Sequence, residues 1–257
     1  MERSFFGWVS FLIDQYSNLF IRGTINTILI AVFGTIFGFL IGMLVAILKT
    51  VPVQPNDSKA KKLLLKVLNF FLNVYITVLR GTPMIVQAML FYYGALQYFN
   101  LDIPSLPAAM IVVSVNTGAY MAEIIRGGII SIDKGQTEGA LSIGMTHWQA
   151  MLNVVMPQAF RNIVPSIGNE FIVNIKDSSV LNVISVSELF FITKSASGTY
   201  LRYFEAFFIA GCIYLVLTLT VSKLLEILEN RMDGPDSFTI HGSQSDFKAT
   251  IRTGNEG

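Results

Sequence analysis

The longest uncharged stretch of the sequence, residues 23–48, places the strongest constraint on the fold. It holds 26 residues without Asp, Glu, Lys or Arg. As a helix rising 1.5 Å per residue it is longer than the roughly 30 Å of hydrocarbon in a bilayer. The whole chain is 53% apolar and only 14% charged, whereas soluble domains carry roughly a quarter charged residues. These values exclude an ordinary soluble domain and predict an all-α membrane protein.

Four further segments are predicted to cross the membrane, which gives five transmembrane helices. Residues 83–99 and 206–222 are each uncharged, although both have the minimum length for a span. Residues 107–125 are apolar except at Asn116 and Glu123. The remaining predicted span, residues 162–191, is long enough to cross the membrane but unusually polar.

Two amphipathic segments are predicted to lie at the membrane surface. Residues 1–22 are apolar on one side and interrupted by Asp14, which favours an N-terminal interfacial helix. In residues 63–79 polar side chains recur at steps of three and four and draw one stripe along a helix, which also favours an interfacial position. The stripe consists of Lys66, Asn69, Asn73, Thr77 and then Arg80.

The distribution of basic residues predicts the orientation. With five spans, 13 Lys and Arg residues fall on one side of the membrane and four on the other. By the positive-inside rule, the richer side is cytoplasmic. The N-terminus is therefore predicted outside and the C-terminus inside. The expected organisation is the interfacial helix, a five-span domain over residues 23–231, and a polar cytoplasmic tail over residues 232–257.

Several function classes lack the residues they require. The sequence contains no G-x-x-x-x-G-K-[ST] motif for binding nucleotide phosphates. Its single cysteine, Cys212, and two histidines form no metal-ligand pattern. No basic, aromatic-studded stripe suggests nucleic-acid binding. We therefore expect a chain that is not an enzyme and holds no cofactor or metal.

One loop carries a recognisable motif. Glu138, Gly139 and Ala140 are followed after three residues by Gly144, and after nine more by V-V-M-P at residues 154–157. This resembles the EAA loop of ATP-binding-cassette importer permeases, with mild departures at positions 139, 154 and 156. The flanking stretches NTGAYMAEIIRGG, GNEFIVNIKDSSVLNVIS and RGTPMIVQAMLFYYG resemble the histidine and glutamine permease family. The resemblance covers residues 20–230.

The resemblance implies a type I importer permease fold and a set of partners. These are two ATPase subunits that hold ATP and Mg, a second copy or a homologous permease, and an extracytoplasmic solute-binding protein. It also implies a polar amino acid as substrate and a location in the bacterial plasma membrane. A permease for another small solute, and a passive channel or secondary-transporter subunit, are the alternatives.

The motif further implies that the loop, about residues 133–160, forms a cytoplasmic coupling helix that touches an ATPase. Small residues at Gly139, Ala140 and Gly144 would allow a close approach, and Glu138 would meet a donor on the partner. An ordinary amphipathic connector between two spans is the alternative.

Two stretches are candidates for the substrate pathway. Thr82 is predicted to cap a helix that begins at Pro83, whose free N–H groups suit a substrate carboxylate; a plain turn is the alternative. In the polar span, Ser166, Glu170, Asn174 and Asp177 follow at steps of four, four and three.

A carboxylate at bilayer depth is costly, so we expect Glu170 to face a cavity and to meet a positive group of the substrate. The alternative is a salt bridge with Lys176 or Arg161 of this or a second copy of the chain. Gln87 and Asn116 would add hydrogen bonds to the substrate or, alternatively, hold neighbouring helices together.

Overall fold

The computed structural model describes residues 3–51 and 58–232, and within these ranges it is almost entirely helical with no β-strand. This confirms the predicted all-α class. The predicted tail lies outside the described residues from residue 233 onward. The helices are α1 (Phe5–Thr50), α2 (Lys59–Gly81), α3 (Met84–Phe99), α4 (Ser105–Ile130), α5 (Lys134–Ser142), α6 (His147–Ala150), α7 (Met156–Asp177), α8 (Leu189–Tyr200) and α9 (Tyr203–Met232).

By length and composition, four of these helices could cross a membrane: α1, α2, α4 and α9. A fifth candidate is a broken one. It runs from His147 through α7 and a 3-10 turn (Ser178–Ile184), then bends by 55° into α8. The polar span predicted at residues 162–191 is therefore not one continuous helix. Four to five candidate spans agree with the predicted number.

The predicted boundary between an interfacial helix and the first span is wrong. α1 is continuous from Phe5 to Thr50, about 69 Å at 1.5 Å per residue, which is more than twice the hydrocarbon thickness. Gly23, where the boundary was expected, is buried against α8: an added Cβ would lie 3.0 Å from Leu189 Cα. Packing against another helix holds the chain helical through this point.

The assignment of α2 and α3 also differs from the prediction. α2 qualifies as a span, whereas α3 has 16 residues, about 24 Å, and is too short to qualify. Two polar side chains of α2 contact α4, and one of them, Arg80, belongs to the stripe that suggested an interfacial helix. The Tyr75 hydroxyl donates to Val115 O at 2.7 Å, and Arg80 lies 3.9 Å from Glu123. Contacts inside the protein satisfy part of the polar stripe.

Small residues hold α1 and α4 together. Gly34, Gly38 and Gly42 follow at steps of four on α1 and face α4, so the two backbones approach closely. An added Cβ would overlap Val113 Cγ1 at Gly34, would lie 2.6 Å from Thr117 Cγ2 at Gly38, and would lie 2.7 Å from the Ala122 nitrogen at Gly42. This contact forms the centre of the bundle.

Two apolar clusters mark the two ends of the bundle. At the α5 end, Ala46 of α1 packs with Ile125 of α4 and with Ala159 and Ile163 of α7. At the α8 end, the N-terminal part of α1 packs against α8 and the start of α9 through Leu12, Phe20, Leu189, Ala206 and Ile209. The end of α1 therefore lies near the α5 end.

Candidate functional site

The backbone breaks between α2 and α3 beside the middle of α4. Thr82 does not cap α3 as predicted: its hydroxyl donates backward to Val78 O at 2.8 Å. Pro83 is the N-cap residue, and no side chain caps α3. Since the first N–H groups of a helix have no partner within it, this end carries free donors and the positive end of the helix dipole.

Gln87 and Asn116 fix this break to α4. The Gln87 amide nitrogen donates to Leu79 O at 2.8 Å, Thr82 O at 3.0 Å and Thr82 Oγ1 at 2.9 Å. The Asn116 amide donates to Gln87 Oε1 at 2.9 Å. Three of the five predicted pathway residues thus form one network. The side-chain amides of Gln87 and Asn116 donate to groups inside the protein, as expected if these residues hold neighbouring helices together.

Arg80, in the last turn of α2, pairs with one carboxylate and influences a second. It is 3.9 Å from Glu123, and it acts electrostatically on Glu170 of α7. The Glu123 carboxylate also forms salt bridges with Arg126, at 2.8 Å, and with Lys49, at 3.9 Å. The spacing of Glu123 and Arg126 suggests their pairing, because residues three apart share a helix face. No sequence signal brings in Lys49 or Arg80, which come from other helices.

Glu170 is half-buried, and among the described residues it has neither a hydrogen-bond donor nor an ion-pair partner within 4 Å. The alternative of a salt bridge with Lys176 or Arg161 is therefore not found within the described part of this chain. The charges that act on it are those of Asp177 and Arg80. A half-buried carboxylate without a partner is costly. A positive group that binds to Glu170 would therefore be stabilised by it.

Asn174 lies one turn from Glu170 but in a different environment. Its side chain is buried and donates to Thr35 Oγ1 at 3.0 Å, and its oxygen accepts from the Thr117 hydroxyl at 3.0 Å. The amide thus joins α7 to α1 and α4 and leaves little for a substrate. The predicted polar stripe is divided: Asn174 packs the bundle, whereas Glu170 is half-exposed.

Sequence reasoning missed a fully buried carboxylate, Glu188, at the bend before α8. It accepts hydrogen bonds from the Phe190 and Phe191 nitrogens at 2.8 and 2.6 Å and from the Tyr214 hydroxyl at 3.0 Å. It therefore caps α8 and ties this helix to α9. An acidic residue directly before an apolar run is a helix-start signal, but a single span over residues 162–191 leaves no helix start at this position.

The predicted coupling loop forms α5, a tight turn and α6, followed by a π-helical turn (Met151–Val155) that leads into α7. Gly144 ends α5 with φ +88. Met145 N donates to Ala140 O at 3.2 Å and Gly144 N to Leu141 O at 3.0 Å, the pair of bonds of a Schellman cap. The backbone conformation at Gly144 therefore favours glycine by itself, and close approach to a partner there stays a prediction.

The remaining motif residues divide into exposed and buried positions. Glu138 and Gly139 are exposed, and an added Cβ at Gly139 would meet nothing within 4 Å. Ala140 is buried inside the chain, and its contact with a partner stays a prediction. Large apolar side chains beside the motif are exposed and were not predicted: Leu141 (43%), Ile143 (76%), Trp148 (69%) and Leu152 (61%).

The π-helical turn couples this surface to α7. Pro157 has no N–H to donate to the preceding turn, and the backbone widens there, with Met156 N bonded to Met151 O. Gln158 donates to Val154 O at 2.8 Å and to Gln136 Oε1 of α5 at 3.3 Å. The start of α7 is therefore connected to the exposed helix α5.

A family comparison identifies the fold. Residues 60–234 match the model of the family described as "binding-protein-dependent transport system inner membrane component". This match spans more than half of the chain, from the start of α2 to the end of α9. The chain belongs to this family. It is a permease subunit of a binding-protein-dependent transport system, and its candidate spans, together with the family's location, make it an inner membrane protein.

Curated relatives of this permease carry amino acids according to their names. It is 39% identical to the glutamine transport system permease protein GlnP of Escherichia coli (strain K12) over 160 residues, covering 62% of this chain and 73% of that protein. It is 38% identical to the arginine transport system permease protein ArtQ of Bacillus subtilis (strain 168), covering 63% and 74%.

Solved permeases confirm the fold. A crystal structure of an amino acid ABC transporter with histidines matches the permease with a TM-score of 0.78 and 39% identity, over 90% of this chain and all of that one. An inward-facing structure of the MetNI methionine ABC transporter matches with a TM-score of 0.69 at 19% identity, over 85% and 98%. The latter supports the type I importer permease fold alone.

Proposed function

We propose that this permease moves a polar amino acid into the cytoplasm and that ATP hydrolysis on partner subunits drives the transport. The observation that carries the substrate assignment is the half-buried carboxylate of Glu170, which has no hydrogen-bond or ion-pair partner among the described residues. Arg80, in the last turn of α2, supplies a positive charge within electrostatic reach of Glu170. A zwitterionic substrate fits such a pair of opposite charges.

In the proposed arrangement, the substrate ammonium or a cationic side chain meets Glu170, and the substrate carboxylate lies toward the start of α3. The uncapped N–H groups and the helix dipole favour an anion there. Thr82, Gln87 and Asn116 hold this helix start in place rather than touching the substrate. Asn174 fixes α7 against α1 and α4, and so positions Glu170.

The proposed partners are two ATP-binding-cassette subunits, which hold ATP and Mg, a second permease, and an extracytoplasmic solute-binding protein. Glu138, Gly139 and the exposed apolar side chains of residues 141–152 would contact an ATPase. Movement of α5 would reach α7 through Gln158 and the π-helical turn. α7 carries Glu170, so one helix would link the ATPase contact to the substrate.

Glu170→Gln tests the substrate site. Removing the negative charge is expected to lower ATP-driven uptake roughly tenfold or more, because a charged substrate group loses its partner. The measurement is uptake into vesicles that contain the reconstituted complex, for a cationic and a neutral amino acid. A greater loss for the cationic one would place its side chain at Glu170, whereas an equal loss would place the α-ammonium there.

The matched control is Glu226→Gln, which removes an exposed carboxylate of α9. It should retain uptake, and both variants should retain assembly and basal ATP hydrolysis. Full uptake by the Glu170→Gln protein would refute the assignment.

The proposed orientation predicts a labelling pattern in a Cys212→Ser background. With the N-terminus outside, the loop at Asp102 faces the exterior and the start of α2 faces the cytoplasm. An impermeant thiol reagent added to intact cells should modify an Asp102→Cys protein and should reach a Lys59→Cys protein only after the membrane is opened. The reverse pattern would invert the orientation.

A further inference from the structure

The first two turns of α2 carry a concentrated positive charge. Four lysines occur within eight residues, between Lys59 and Lys66. The only carboxylate in the sequence between Val51 and Leu101 is Asp57. Lys59 and Lys66 are exposed, and the positive end of the helix dipole lies at the same place. This end of the helix therefore attracts anions.

Apolar side chains point outward directly beyond these lysines. Leu63, Val67, Phe70 and Val74 follow at steps of four, three and four and are 63%, 44%, 62% and 41% exposed. Leu64 and Phe71, beside this stripe, are 67% and 63% exposed. Of the α2 residues, only Leu65 and Ile76 are buried. Most of the apolar surface of α2 thus lacks a partner within the described part of the chain.

We propose that the N-terminal half of α2 binds anionic phospholipid, with the lysines on the headgroups and the apolar stripe along the acyl chains. From Lys59 to Phe71 the helix advances about 18 Å. Its charged end and its apolar surface therefore follow one another within a distance comparable to the thickness of one leaflet. Clusters of Lys next to a membrane helix attract anionic lipids. The proposed orientation is used only to name the leaflet, which is the cytoplasmic one.

Charge distinguishes this occupant from a second copy of the chain. In the C-terminal part of α9, the exposed cations Lys223 and Arg231 lie on either side of Glu226 and Glu229 in the sequence. The positive and negative charges of that surface are therefore locally balanced. A second copy would bring the same lysines and no unbalanced acidic surface from this helix. An anionic lipid surface supplies the opposite charge and the apolar chains together.

Lipid retention tests the proposal without a transport assay. The permease complex is purified from vesicles that contain equal amounts of phosphatidylglycerol and phosphatidylcholine, and the retained lipids are quantified. The native protein should retain excess phosphatidylglycerol. K59Q/K66Q should lower this excess about fivefold for each lysine removed. Raising the salt concentration to about 0.5 M should reduce it in the native protein, because salt screens the attraction.

K223Q/R231Q is the matched control, because it removes two exposed cations from the balanced surface of α9. It should retain the native enrichment. An unchanged enrichment in K59Q/K66Q would overturn the proposal. So would a shift of that variant from dimer to monomer without a change in retained lipid, which would assign the surface to a second copy. Neither result depends on the substrate or on ATP hydrolysis, so the proposed transport function is tested separately.

Discussion

The Gly42→Leu substitution is expected to prevent correct packing of α1 on α4 and to remove most of the folded permease from the membrane. A Cβ at Gly42 would overlap Met121 Cβ and would lie 2.7 Å from the Ala122 nitrogen. Both atoms remain whatever side chain α4 carries. Overpacking typically costs about 1–3 kcal/mol, and here the backbones themselves must separate. The measurement is the yield of monodisperse protein after mild detergent extraction.

A second pair of variants separates a steric cause from a loss of helix propensity. At Gly34 the added Cβ overlaps the Val113 side chain rather than backbone. Gly34→Ala should therefore lower the yield, and Gly34→Ala with Val113→Ala should recover it. Gly42→Ala with Met121→Ala should recover nothing, because the Met121 Cβ and the Ala122 nitrogen persist. Gly211→Leu, at an exposed glycine of α9 with nothing within 4 Å, is the control and should retain the native yield.

The class of fold could be predicted from the sequence because the bilayer imposes a length. An uncharged run such as residues 23–48 must be helical to satisfy its backbone without water. Which residues cap, bend or continue a helix depends on neighbours that are distant in the sequence. Thus α1 runs through Gly23 because α8 packs there, and α2 has polar groups that face α4 rather than water.

In the candidate site, too, some features follow from the sequence and others depend on distant residues. The cost of a carboxylate at membrane depth predicts that Glu170 faces a cavity, and the described residues form no salt bridge with it. The partners of Asn174 come from α1 and α4, at Thr35 and Thr117, and no spacing rule links these positions. For the same reason, the ion pair of Arg80 with Glu123 could not be read from the sequence.

The motif at residues 138–144 predicts a coupling contact, and the structure adds a backbone requirement at one of its glycines. Gly144 was expected to allow close approach, yet its φ of +88 makes it a helix C-cap. Any larger residue there strains the backbone. Gly144 variants would therefore confuse a folding defect with a coupling defect. Gly139 is the better probe, because it is helical, exposed and without a neighbour.

Gly139→Trp is expected to abolish ATP-driven uptake while the permease remains folded. Helix α5 should tolerate the change, because Trp has a higher helix propensity than Gly by a few tenths of a kcal/mol. In the proposed complex the indole would occupy space between α5 and an ATPase subunit. Co-purification of the ATPase should fall by roughly tenfold or more, equivalent to about 1.4 kcal/mol or more of binding free energy. Glu138→Lys should act in the same direction through its charge.

The matched controls are Gly198→Trp, at an exposed helical glycine of α8 with nothing within 4 Å, and Asp102→Lys, a charge reversal between α3 and α4. Both lie away from α5 and should retain the ATPase. If the Gly139→Trp protein is extracted as a monodisperse permease and still supports native substrate-stimulated ATP hydrolysis, α5 is not the contact.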